Sequence, residues 1–134
     1  MPIDVELTGS YLSVRLYDVV TPAELLSYAR SAEEFEQQHG GPLNRITDLT
    51  GVVRFEIGYR EIFDFADRRK RGWPTEPSKS VIIAIEPVQI GMARMFQTMS
   101  SHPNLDIRIV NSHADAQAWL SVESGTHAEL LTRR

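Results

Sequence analysis

Apolar and polar residues alternate at the start of the chain: Ile3, Val5 and Leu7, then, beyond Gly9-Ser10, Tyr11, Leu12, Val14, Leu16 and Tyr17. Period-two alternation across a glycine turn predicts a β-hairpin with one wet face, at the edge of a sheet. The period then changes. Leu25, Tyr28, Ala29, Ala32 and Phe35 recur at helical spacing. Thr21-Pro22-Ala23-Glu24 marks where that helix starts: Thr21 and Glu24 can cap each other's amides, and Pro22 suits the first helical position. His39-Gly40-Gly41-Pro42 ends it, glycine supplying a left-handed cap and proline preventing continuation.

Asn44 to Leu49 reads as a buried strand that closes in Asp48-Leu49-Thr50-Gly51. Phe55, Tyr59, Ile62, Phe63 and Ala66 predict a second helix running to Lys70, so residues 48–56 are expected to form a loop at the strand's carboxyl end, where α/β proteins usually meet ligands. Gly72-Trp73-Pro74 breaks that helix, and residues 75–78 form a loop. Lys79 to Ile85 is aliphatic on both faces, which suits a parallel strand covered above and below. Pro87 begins a third helix striped by Val88, Met92, Met95, Phe96 and Met99, and His102-Pro103-Asn104 ends it. Leu105, Ile107, Ile109 and Val110 make a last strand. Ser112, with Asp115 three residues on, opens a final helix that buries Ala116, Trp119 and Leu120. A polar tail follows about Val122.

The order β-β-α-β-α-β-α-β-α predicts an α/β fold with a mixed, mostly parallel five-stranded sheet, joined by right-handed crossovers after an antiparallel hairpin. Without internal repeats or a linker, residues 1–134 read as one domain with a core over about 3–121. That length buries about 68–70% of the unfolded surface without metals or disulfides. A net charge of −4 argues against broad affinity for nucleic acid or anionic membranes. The absence of cysteine removes disulfides, thiolate metal sites and a cysteine nucleophile. Met-Pro-Ile-Asp-Val-Glu has neither a basic region nor an apolar run, and Val81 to Ile85 is too short to span a bilayer, so a cytoplasmic protein is expected.

Three features resemble the STAS family (sulphate transporter and anti-sigma-factor antagonist), and more closely its single-domain SpoIIAA-like branch. They are the element order over residues 3–121, Asp48-Leu49-Thr50-Gly51 closing the third strand, and Ala116-Gln117-Ala118-Trp119-Leu120 after an Ile-Arg-Ile-Val strand. The resemblance implies a binding or regulatory module, not an enzyme, in a branch also compared with lipid-binding CRAL-TRIO folds. In the anti-sigma antagonists, Asp-Ser-Ser-Gly stands at the following helix start, and a partner kinase phosphorylates a serine there. A phosphate at a helix amino terminus acts as a charge switch. This chain has Phe55-Glu56-Ile57-Gly58, with Ile57 in the serine's place, so that switch is not expected.

The residues that remain fit a binding surface: Asp48, Thr50, Gly51, Arg54 and Glu56 in the strand-end loop, with Met92 near the start of the third helix. Thr50 is the one hydroxyl between Asp48 and Glu56 and could take phosphate, but Asp48 and Thr50 more simply bond local amides. Glu56 is explained as a first-turn acid stabilised by the helix dipole. Met92, Met95, Met99 and Phe96 suit core, or else a groove between helices 55–66 and 88–99 that carries a small apolar or lipid-like ligand. Arg68-Arg69-Lys70-Arg71 with Trp73 could contact nucleic acid, yet cations at a helix carboxyl end, with Asp64 and Asp67 at pairing distance, need no such partner. His39, His102, His113 and His127 show no ligand spacing, so no metal or cofactor is expected. No nucleophile or nucleotide motif is present; acid–base chemistry would have to use Asp48, Glu56 or His113. The expected partner is a protein or a small apolar ligand. The hairpin edge and the aromatic helix faces could also close a homodimer.

Overall fold

In the computed structural model, which describes residues 1–72 and 76–121, the chain runs β1 (Ile3–Thr8), β2 (Tyr11–Val20), α1 (Pro22–His39), β3 (Asn44–Phe55), α2 (Tyr59–Lys70), β4 (Ser78–Ile83), α3 (Pro87–Met99), β5 (Leu105–Val110) and α4 (His113–Ser121). The strands lie in the order β1-β2-β3-β4-β5. β1 is antiparallel to β2 and the other pairings are parallel. Every crossover steps one place in the same direction, so right-handedness sets α1, α2 and α3 on one face. α4 covers the other. The main core lies under the three crossover helices, and a smaller one, Ile46, Val81, Ile83 and Ala116, lies under α4. A sheet that never reverses direction has no switch-point crevice of the doubly wound kind.

Local signals act as read. Glu24 Oε1 accepts from the Thr21 amide at 2.6 Å, and the Thr21 hydroxyl accepts from the Ala23 amide at 3.3 Å. Gly40 caps α1 at φ 91°, and Gly9 turns the hairpin at φ 61°. Ser112 Oγ accepts from the Asp115 amide at 3.1 Å. Trp73, His127 and the tail after Val122 lie outside the described residues.

Three expectations need correction. First, Asp48 to Phe55 is not a loop leading into a helix: it is strand, and α2 begins at Tyr59. β4 ends its pairing at Asp48↔Ile83, but β2 continues alongside β3 as far as Val20↔Phe55. Second, Tyr59 and Phe63 leave the core side of α2, exposed at 65% and 44%, and stack on each other at 6.3 Å. Phe65 takes the inner place, edge-on to Tyr28 at 4.9 Å and 5.4 Å from Phe96. Third, Val88 is outside, and the buried stripe of α3 is Gln89, Ala93 and Phe96, with the methionines at its margins. An apolar stripe read by composition alone misses its phase by one residue when a polar side chain is the one buried.

The basic run is dispersed. Arg68 crosses to Glu33 on α1 (Nη2 to Oε1, 2.8 Å), Arg71 pairs with Asp67 at 3.1 Å, and Asp64 pairs with Arg60. Arg69 reaches beneath α2 to Ser80 at 3.2 Å.

Candidate functional site

The extension of β3 explains most of the predicted site. Between Arg15 and Tyr17 on β2, β3 advances from Asp48 to Gly51; between Asp18 and Val19 it advances from Val52 to Arg54. One extra residue enters β3 at each step, which is a β-bulge. Asp18 accommodates the second in the left-handed region at φ 57°, where Asp is better tolerated than most residues. At the first bulge Asp48 Oδ1 accepts from the Thr50 amide at 2.8 Å and from its hydroxyl at 2.7 Å. Gly51 lies against β2: a Cβ there would stand 3.0 Å from Tyr17 Cβ. Val53 is pushed out to 72% exposure by the second bulge. Arg54 and Glu56 pair with each other at 2.6 Å in solvent, so Glu56 is no helix-dipole acid.

The free edge of the extension is closed by a residue that sequence reasoning missed. Gln89, 1% exposed, donates from Nε2 to the carbonyls of Val52 (3.0 Å) and Thr50 (3.3 Å). Its Oε1 accepts from the amides of Ile85 and Glu86, both at 3.0 Å. One amide side chain thus replaces the strand that β4 stops supplying and caps the start of α3. A polar residue at a buried position of the 89-93-96 spacing was the available signal.

Asp48 has a second partner. His113 Nε2 lies 2.8 Å from Asp48 Oδ2 and ties the first turn of α4 to β3 across the end of β4. Burial opposes ionisation of Asp48, but the bonds from Thr50 and His113 outweigh it and hold the carboxyl below its usual range. In this arrangement the carboxylate stands between hydroxyl and imidazole. The imidazole therefore has no Thr50 proton to take, and a nucleophile relay in the order Ser-His-Asp is not formed. At the start of α2, Glu61 Oε1 accepts from the Gly58 amide at 2.6 Å.

Met92 is not part of that surface. It lines a cavity of about 50 Å³ on the opposite side of the sheet from His113, with Phe55, Ile57, Phe65 and Phe96. The cavity does bring together the second and third helices with Ile57, whose apolar side chain packs on the core. An open cleft of about 680 Å³ along β5, between α3 and α4, contains none of the six predicted residues. Among the described residues, no cluster of three or more His, Cys, Asp or Glu could hold a metal, and no helix is long and apolar enough to cross a membrane.

No family model matches the chain, and no curated protein matches its sequence. Solved structures do match in shape. One is an uncharacterised DUF3478-family protein with a SpoIIAA-like fold from Shewanella loihica PV-4, at TM-score 0.61 and 15% identity over 88% of this chain and 91% of that one. Another is the anti-sigma factor antagonist SpoIIAA in its unphosphorylated form, at TM-score 0.63 and 10% identity over 91% and 99%. The fold is thus SpoIIAA-like, a mixed five-stranded sheet with four helices.

Proposed function

We propose that this SpoIIAA-like domain is a non-enzymatic binding module that meets a protein partner with the strand-end face formed by the β3 extension and the starts of α2 and α3. One observation carries the reading. Val53, Tyr59, Ile85 and Val88 are exposed at 72%, 65%, 53% and 51% on these segments, which also hold the Arg54–Glu56 pair. Single exposed apolar residues are ordinary, but four of them on the segments that follow the strand ends, with a charged pair on one of these segments, favour an interaction surface. The anti-sigma factor antagonist of the same fold supports a protein partner. Ile57 and the self-capped start of α2 favour binding without a phosphate switch at that turn.

Tyr59→Ser, Val88→Ser and Arg54→Glu should leave stability within about 0.5 kcal/mol of wild type, as surface changes do. Each should weaken capture of the partner recovered with the wild-type protein from its host, while Glu6→Arg on β1 should not. Unchanged affinity in all three variants would place the interface elsewhere. Light scattering at several concentrations distinguishes a second copy of the chain from another protein.

The cavity supports a second reading, a carrier of a small apolar ligand. Its size limits the ligand. At about 50 Å³ it is well below the roughly 150 Å³ engineered cavity that accepts benzene. A lipid would require α2 and α3 to part; a molecule of a few heavy atoms would not.

A further inference from the structure

The cavity is apolar at its walls and polar at one place. Tyr28, Thr47 and Ser80 are the polar side chains that line it. Thr47 is paired with Ile82 in the β3–β4 register, which puts Ser80 diagonally beside it on the same face of the sheet. Each hydroxyl has one proton to donate. Tyr28 and Thr47 share a single 2.6 Å bond, and Ser80 accepts from Arg69 at 3.2 Å. Two hydroxyl protons therefore have no acceptor among the described residues.

The charge behind these hydroxyls has the same sense. Arg45, 4% exposed, lies 5.5 Å from the Tyr28 ring centre and pairs with Glu36 at 3.3 Å. Glu36 also accepts from the Leu43 amide, and Arg69 forms no ion pair among the described residues. One carboxylate, paired with Arg45 alone, thus stands against two guanidinium charges. Burial, with the neighbouring Arg45 charge, pushes Arg69 down to about 9, leaving it cationic at neutral pH.

We infer that this end of the cavity binds the carboxylate of a short apolar acid, accepting from the Tyr28–Thr47 pair and Ser80 with Arg69 as counter-charge, its hydrocarbon body directed toward Met92. The inference rests on the cavity reading above. An ionised carboxylate enters a low-dielectric site only where hydrogen bonds and an opposite charge replace its water; the hydroxyls of the lining would supply the bonds, and Arg69, outside the lining and joined to it through Ser80, the charge. About 50 Å³ of space for water-sized groups holds roughly four heavy atoms, at 10–15 Å³ each. An acid somewhat longer than acetate then needs only a rotamer change of Met92, a side chain suited to it.

The test is a titration of the full chain, followed through its assigned amide NMR signals at constant ionic strength. The probes are butyrate, 2-pentanone and n-butylammonium. Butyrate should give saturable shifts at Leu49, Ile82 and Ala93 with at least tenfold tighter binding than the ketone, and the ammonium none. Arg69→Gln should remove the preference for the acid over the ketone. Should that variant fail to fold, Ser80→Ala serves: it should weaken butyrate about fivefold and leave the ketone unchanged. Equal binding of all three probes would overturn the head-group inference and keep the cavity reading. Saturable shifts from none of them would overturn both, and butyrate shifts confined to surface cations would overturn the inference.

Discussion

Gln89→Leu should be among the most damaging single substitutions in α3, although it puts a better apolar residue into a buried position. The change keeps most of the volume and removes four hydrogen bonds: two accepted from the amides of Ile85 and Glu86, two donated to the carbonyls of Thr50 and Val52. A buried polar group left unsatisfied costs about 1–3 kcal/mol. Ile85 and Glu86 are exposed, so water can recover part of their loss. The two carbonyls under α3 cannot be reached so readily. A net cost of about 3 kcal/mol follows, which for a chain of this size lowers Tm by about 10 °C. Urea unfolding reads the magnitude, and hydrogen exchange reads the place: the amides of Ile85 and Glu86 should lose protection first. Gln89→Glu separates hydrogen bonding from packing. Its carboxylate can still accept from the two amides but faces the two carbonyls without a proton. Its folded pKa is therefore raised, and the variant's deficit should grow as pH rises from about 4.3. If Gln89→Leu lies within 1 kcal/mol of wild type, or Gln89→Glu shows no such pH dependence, the account of the β3 edge is wrong.

Three further outcomes follow from the same geometry. Glu36→Gln, which leaves the buried Arg45 without its carboxylate, should cost about 3–5 kcal/mol in urea unfolding, whereas Glu33→Gln at the part-exposed Arg68 pair should cost under about 1 kcal/mol. Asp48 is depressed in the folded state, so its contribution is complete above the unfolded value of about 3.9 and is lost as pH falls through the folded one. Asp48→Asn should thus be less stable than wild type at pH 7, by about 1–2 kcal/mol, and the two should converge toward pH 2.5; a gap that persists in acid would contradict the assigned bonds. Gly51→Ala should cost about 1–3 kcal/mol through crowding with Tyr17, and a variant as stable as wild type in thermal melts would show that the two strands are not held so close.

The order of elements, the one-sided hairpin and the capping of α1 were legible in the chain, because each depends on patterns within a segment or between segments next to each other in sequence. Thr21 and Glu24, Gly40, and Ser112 with Asp115 carry their partners in their own segment. Asp48-Leu49-Thr50-Gly51 was legible only as a place. Its meaning depends on β2 continuing where β4 stops, and on Tyr17 lying against Gly51; no local pattern encodes where a neighbouring strand ends. Tyr59, Phe63 and Val88 read as core because their spacing is helical, but the phase of a helix is set by what it packs on, and here a buried glutamine and Phe65 take the inner positions. Asp48 meets His113 across 65 residues, and Arg45 meets Glu36, and Arg69 meets Ser80, from separate elements. Local sequence thus determined which segments form and in what order. Only the tertiary structure decided which of their polar groups are buried together, since that depends on distances between strands and helices far apart along the chain.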